Sequence, residues 1–104
     1  MPDTITLIVH FKSQESAKAQ FLIQLKEVFA RIEREETFVE ASLQQGLDDP
    51  TSLLVYEVWR ETPESFMKNQ MTREYRKGFE QAIVDLRIER TPSWYTPLAK
   101  WRKG

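Results

Sequence analysis

The sequence contains no cysteine and a single histidine, His10. Without cysteine there is no disulfide framework, no thiolate metal site and no cysteine nucleophile. A lone imidazole supplies no pair of histidine ligands, and the carboxylates are not clustered in sequence, so we expect no metal site and no metal cofactor. No apolar run is long enough to cross a bilayer, and the N-terminal segment has no features of a secretory leader. From these absences we expect a cytoplasmic protein.

Neither sign of charge predominates. The chain has 15 Lys and Arg against 16 Asp and Glu, for a net charge of −1. Because acids and bases are interspersed, no broad basic surface is predicted for nucleic acid or an anionic membrane. Phosphate-binding glycine loops and nucleophile-elbow motifs are also missing. The 104 residues, 40% of them hydrophobic, predict one globular domain spanning positions 1–104.

Four segments have the composition and alternation of β-strands. They cover positions 4–11, 37–45, 53–61 and 86–91. The third, LLVYEVWRE, has no clearly polar face, because both alternate sets are largely apolar. One set is Leu53, Val55, Glu57 and Trp59, and the other is Leu54, Tyr56, Val58 and Arg60.

Three helices are predicted between these strands. The first starts after Ser13, with Ser13 or Ser16 as its cap, and has an apolar stripe from Phe21 to Ile32. The second has Thr62 as N-cap and Pro63 at its first position, and runs to about position 70. The third is capped by Thr72 and contains Gly78, which suggests a close approach of another segment.

The order of these elements predicts an α+β, ferredoxin-like split βαβ fold, with a four-stranded antiparallel sheet and helices on one face. The other face then lacks a cover from its own chain. We expect Leu53, Val55 and Trp59 to lie there and to be buried by a second copy in a symmetric homodimer. The aromatic C-terminal segment, residues 92–104, is predicted to pack at this dimer interface.

The segment FVEASLQQGLDDPTSLLVYEVWRETPESF resembles the hallmark of the antibiotic biosynthesis monooxygenase (ABM) family, which includes quinol monooxygenases. The residues that carry the resemblance are Asp48, Asp49, Pro50, Tyr56, Glu57, Trp59, Glu64 and Phe66. The resemblance implies a dimeric α+β barrel with a small apolar cavity between the sheet and helices of each subunit. It also implies monooxygenase chemistry that uses neither metal nor flavin.

The chain departs from the family pattern at two helical positions. Asn69 and Glu74 stand where many members have histidines, and the loss of both histidines favours a non-catalytic role on the same fold. The haem-degrading branch of the family has a Trp in place of Asn69 and a ligand His in place of Phe79. Since phenylalanine cannot coordinate iron, we expect no haem degradation.

Oxidation by O2 without a cofactor requires a substrate that supplies the electrons itself, such as a deprotonated quinol or polycyclic phenol. The protein must provide a base and an apolar, water-excluding pocket. His10 is a candidate base because its ordinary pKa is near neutrality; alternatively it is a strand residue with no chemical role. Asn69 and Tyr75 are candidates to hydrogen-bond substrate oxygens, or are a helix-end residue and a core-edge tyrosine.

Four further residues are expected to bind the substrate or shape its pocket. Glu57 orients His10 or a substrate hydroxyl, or pairs with an arginine or a backbone group across the dimer. Trp59 stacks on a flat substrate or lies in the interface, while Phe66 and Phe79 form core or cavity wall. The predicted function is therefore cofactor-independent oxidation of a quinol-like or polycyclic phenolic molecule. The alternative is a non-catalytic dimer that binds a small apolar aromatic ligand or serves as an interaction module.

Overall fold

The computed structural model describes residues 4–104 and contains one antiparallel four-stranded sheet. The strands are β1 (Ile5–Lys12), β2 (Phe38–Gln45), β3 (Ser52–Trp59) and β4 (Glu89–Tyr95). Their spatial order is β2-β3-β1-β4, so β1 and β3 occupy the centre. This arrangement confirms the predicted ferredoxin-like α+β fold.

Three helical segments connect the strands. They are α1 (Lys18–Ile32), α2 (Pro63–Ser65, continued by a π-helical turn over Phe66–Gln70) and α3 (Lys77–Asp85). Short 3-10 turns, Glu15–Ala17 and Glu74–Arg76, precede α1 and α3. No described helix combines the length and apolar character needed to span a bilayer.

One of the predicted helix caps is confirmed. The Thr62 hydroxyl accepts the Ser65 backbone N–H at 3.0 Å, and the Ser65 hydroxyl accepts the Thr62 N–H at 2.9 Å, a reciprocal capping box. The caps predicted for the other helices are wrong. No side chain caps α1, and the Thr72 hydroxyl donates to the Lys68 carbonyl at 2.7 Å instead of starting α3.

The core lies between the helices and the face of the sheet that they cover, which we call the inner face. The apolar stripe of α1 packs against the alternate residues Leu7, Val9 and Phe11 of β1. Leu53, Val55 and Trp59 also lie on the inner face and are at most 2% exposed. The expectation that these three need a second copy to cover them is therefore wrong. Alternation separated the two sets correctly but did not show which set the helices cover.

The opposite face, which we call the open face, carries the other alternate set. Its central apolar residues Ile8, Leu54, Tyr56 and Val58 are half-buried. The exposed His10 is on this face, opposite Leu54 of β3.

The last strand begins and ends later than the sequence predicts. Arg87 has a left-handed φ of 55°, which ends the turn after α3, and β4 starts only at Glu89. Residues 92–95, predicted as part of an interface tail, belong to β4. Pro92 lies opposite Val9 in β4, an edge strand, where the missing N–H is tolerated. Beyond it, Leu98 and Trp101 are exposed.

Candidate active site

A cavity of about 310 Å³ lies between the inner face of the sheet and the helices. This volume is at the lower end of the range for small-molecule sites. Most of its wall is apolar, and its polar members are Glu57, Arg76 and Arg90. The apolar wall consists of Leu7, Val9, Phe11, Val28, Phe29, Ile32, Phe66, Met67, Met71, Phe79, Pro92 and Trp94.

Glu57 presents a buried carboxyl group to this cavity. It occupies the inner face of central strand β3, opposite Leu7 of β1, and is 5% exposed. Its Oε1 accepts a hydrogen bond from the indole Nε1 of Trp59 at 2.9 Å. Burial raises the pKa of Glu57 to about 7, against the opposing effects of the Trp59 hydrogen bond and the positive charge of Arg76. The carboxyl group can therefore take up or release a proton near neutral pH.

Arg76 is a second buried polar residue of the cavity wall, and the sequence analysis missed it. It is 7% exposed, and its guanidinium carbon lies 5.4 Å from the centroid of the Phe66 ring. Its Nη1 lies 3.6 Å from the Met71 sulfur. One signal was available, since Arg76 precedes Phe79 by three residues and Ile83 by seven, and so continues the buried stripe of α3 into the 3-10 turn before it.

Aromatic rings give the cavity a rigid wall. The Phe79 ring stacks on Phe21 with centroids 5.9 Å apart, and Phe66 meets Trp94 edge to face at 5.2 Å. Phe66 and Phe79 thus lie where the sequence analysis expected pocket residues. Trp59 is 0% exposed and does not line the cavity. It lies behind Phe66, so its contribution to the site is the hydrogen bond to Glu57 and not direct stacking on a ligand.

His10 does not reach the cavity. Its neighbours Val9 and Phe11 line the cavity from the inner face, and strict alternation along β1 places the His10 side chain on the open face. The structure therefore places His10 on the open face and not in the wall of this cavity, and its role as a base stays a prediction.

Asn69 and Tyr75 also lie away from the cavity wall. Asn69 is exposed on the π-helical turn, where its neighbour Gln70 is buried instead. The Tyr75 hydroxyl donates to Oε2 of Glu35 at 2.7 Å, and burial together with Glu35 raises the pKa of Tyr75 to about 12. The structure therefore brings neither residue to the cavity wall.

Gln70 belongs to a polar cluster beside the core. Its Nε2 donates to Oε2 of Glu61 at 2.9 Å, and the Thr37 hydroxyl donates to the same oxygen at 2.6 Å. The Ser65 hydroxyl donates to the other oxygen of Glu61. Although burial acts in the other direction, these hydrogen bonds hold the pKa of Glu61 below its ordinary value. The cluster joins α2 to the start of β2 and does not line the cavity.

Comparisons with known proteins agree with this architecture. A family model described as antibiotic biosynthesis monooxygenase matches residues 4–81. A search of curated proteins finds no match. Within residues 4–104, no three His, Cys, Asp or Glu side chains are grouped to hold a metal ion.

Solved structures with the same fold include SnoaB, a cofactor-independent oxygenase from Streptomyces nogalater. It is 19% identical, with a TM-score of 0.84 over 98% of this chain and 100% of that one. A proposed antibiotic biosynthesis monooxygenase from Deinococcus radiodurans is 12% identical, with a TM-score of 0.83 over 96% and 98% of the two chains. The Rv0793 protein of Mycobacterium tuberculosis is 13% identical, with a TM-score of 0.81 over 93% and 97%.

Proposed function

This chain belongs to the antibiotic biosynthesis monooxygenase family, and on that premise we propose that it oxidises a quinol-like or polycyclic phenolic molecule with O2 and without a cofactor. The observation that carries the proposal is the buried carboxyl group of Glu57 in the wall of an apolar cavity, where burial raises its pKa to about 7. The fold it shares with SnoaB, a cofactor-independent oxygenase, gives further support.

The proposed chemistry starts with proton transfer. Glu57 accepts the proton of a substrate hydroxyl, and the resulting phenolate is electron-rich enough to reduce O2. When a phenol becomes a quinone, one oxygen atom of O2 enters the ring and the other leaves as water, so the substrate supplies all four electrons. The apolar wall, including Phe66 and Phe79, excludes bulk water from the reacting anion. Glu57 thus takes the role that the sequence analysis gave to His10.

The proposal is tested by oxygen uptake with menadiol and with 1-naphthol, measured against autoxidation in buffer. We expect the wild-type protein to exceed the buffer rate. Glu57→Gln keeps the shape and the acceptor for Trp59 but removes the base, and should lower the rate by about 100-fold or more, as general bases contribute. Glu64→Gln makes the same change at an exposed position of α2 and should retain the rate.

His10→Ala separates the two candidate bases. If His10→Ala retains oxygen uptake, the result supports Glu57 as the base. If His10→Ala loses oxygen uptake and Glu57→Gln retains it, Glu57 is not the base. Uptake no faster than buffer across both substrates would reject the oxidation itself. In that case, thermal stabilisation by the same molecules without turnover would identify the alternative function, a binding protein.

We also propose that the chain forms a homodimer through the open face. The support is the apolar group Ile8, Leu54, Tyr56 and Val58 at the centre of that face, which the helices of the same subunit do not cover. A symmetric contact of the same patch on both copies would bury these side chains.

A further inference from the structure

The guanidinium of Arg76 is a buried cation without a counterion in the described part of the chain. None of the ion pairs within residues 4–104 includes Arg76. Its Nε and Nη2 are enclosed and have no hydrogen-bond partner there. Arginine stays charged at any ordinary pH, so this residue cannot relieve its burial by losing a proton. An incoming anion would therefore gain from pairing with it.

The two nitrogens without a partner lie on one edge of the Arg76 guanidinium group. Nε and Nη2 lie side by side on the guanidinium plane, and their N–H groups form the parallel fork that matches the two oxygens of a carboxylate. The remaining nitrogen, Nη1, already contacts the Met71 sulfur. A phenolate offers only one oxygen to such a fork, so the free edge favours a carboxylate.

The nearby acidic residues do not use this edge. Glu57 is held by Trp59, and its interaction with Arg76 is through charge and not through a contact. The two carboxylate oxygens of Glu80 accept hydrogen bonds from Nη1 and Nη2 of Arg90, at 2.8 and 2.7 Å. The cavity wall therefore contains one arginine with a carboxylate partner, Arg90, and one without, Arg76.

We infer that Arg76 is an anion-binding residue of the cavity and that the ligand is an aromatic acid, a flat ring system carrying both a hydroxyl group and a carboxylate. This inference rests on the proposed oxidation of phenolic molecules and narrows their class. The carboxylate binds the Nε–Nη2 edge of Arg76, and the ring lies against the aromatic wall near Phe66 and Phe79. The hydroxyl then faces the Glu57 carboxyl group.

Access to the edge requires a side-chain adjustment. Met71 lines the cavity and contacts the guanidinium, and its unbranched thioether chain changes rotamer easily. A shift of Met71 releases Nη1 and lets the guanidinium turn its free edge toward a bound carboxylate. Phe66 remains below the guanidinium plane as a fixed surface.

The test is a binding measurement that requires no turnover. The ligands are 2-naphthoate and its uncharged analogue naphthalene-2-carboxamide, titrated by calorimetry into the wild-type protein and three variants. We expect the wild type to prefer the carboxylate by tenfold or more, and Arg76→Met to lose that preference. Lys77→Met removes a positive charge from the neighbouring, exposed position and should keep the preference for the carboxylate. Arg90→Met removes the positive charge of the other arginine in the cavity wall.

Each outcome separates this inference from the proposed oxidation. Preference for naphthoate that survives in Arg76→Met, or that is lost only in Arg90→Met, would overturn the assignment to Arg76. Equal binding of both ligands by the wild type would overturn the carboxylate subsite while leaving the oxygen-uptake result intact. Conversely, a carboxylate preference in a protein without oxygen uptake would support the subsite and reject the oxidation. Near-ultraviolet circular dichroism checks that each variant keeps its packed core.

Discussion

At the scale of single residues, the position of Glu57 links stability to chemistry. Burial disfavours its charged form, so the folded chain holds a proton that the unfolded chain releases at lower pH. Ionisation of this buried carboxyl group therefore lowers the free energy of unfolding. Such a cost is typical of sites where a titratable group serves a reaction.

The cost predicts a pH-dependent effect of Glu57→Gln on the free energy of unfolding. Below the unfolded pKa of 4.5 the wild-type carboxyl is protonated in both states, and the variant should match it. Between pH 4.5 and about 7 the unfolded state binds fewer protons, so wild-type stability falls relative to the variant. At pH 8 the variant should be more stable by roughly 3 kcal/mol. Urea unfolding of both proteins at pH 4 and at pH 8 measures the two free energies of unfolding, and a difference that stays constant between the two pH values would contradict the prediction.

The sequence shows which residues alternate, but not the environment of each one. Alternation placed His10 on the opposite face from Val9 and Phe11, as observed. His10 is a candidate base only because its ordinary pKa is near neutrality. Glu57 acquires a pKa near neutrality because side chains distant in sequence bury it. The periodicity of the sequence does not reveal that burial.

At the scale of elements, α3 contains a position at which the fold is not optimised. Gly78 lies in the first turn of α3, and a Cβ there would meet no atom within 4 Å. The close approach expected at Gly78 is therefore wrong. Its φ is not in the left-handed region, so the backbone does not require glycine.

We therefore predict that Gly78→Ala stabilises the chain by roughly 0.5–1 kcal/mol, because alanine loses less backbone entropy on folding. The midpoint of urea unfolding should rise at an unchanged slope. Gly46→Ala is the contrasting variant, since its Cβ would lie 2.9 Å from the Asp49 carbonyl oxygen, and it should destabilise. A fall in stability for Gly78→Ala would show that this turn needs its flexibility.

The elements themselves were predictable where the local signal was strong. Strands β1 to β3 and the stripe of α1 lie within a few residues of their predicted bounds, and the Thr62 cap is correct. Strand β4 was misplaced because Pro92 discourages a strand assignment, although an edge strand tolerates it. Asn69 was misplaced because the π-helical turn rotates Gln70 into the interior, an irregularity without a sequence signature here.

At the scale of the whole molecule, the open face is the side of the sheet that none of the helices described within residues 4–104 covers. The element order predicted a sheet with helices on one face, and this is what the chain forms. Which alternate set of β3 would be covered depended on tertiary packing, and the assignment of Leu53, Val55 and Trp59 was reversed. The half-buried set that includes Tyr56 and Val58 is the surface that a second copy would cover.

The proposed dimer predicts a sedimenting species of twice the chain mass of 12.4 kDa at micromolar concentration. Val58→Asp places a charge at the centre of the open face and should shift the protein to the monomer while leaving the inner core intact. Val84→Asp makes the same change at an exposed position of α3 and should leave the dimer unchanged. A wild-type protein that sediments only as 12.4 kDa would contradict the proposal.

Pro92 also has a bearing on solubility. Within residues 4–104, no further strand pairs with the outer edge of β4. Unpaired edges of this kind are where polypeptides add to one another in uncontrolled, fibre-like growth. The ring nitrogen of Pro92 carries no hydrogen, so it interrupts the row of N–H donors that an added strand would need for pairing. This edge is therefore a poor template for lateral extension, and the chain can keep aromatic residues such as Tyr95 near it without inviting aggregation.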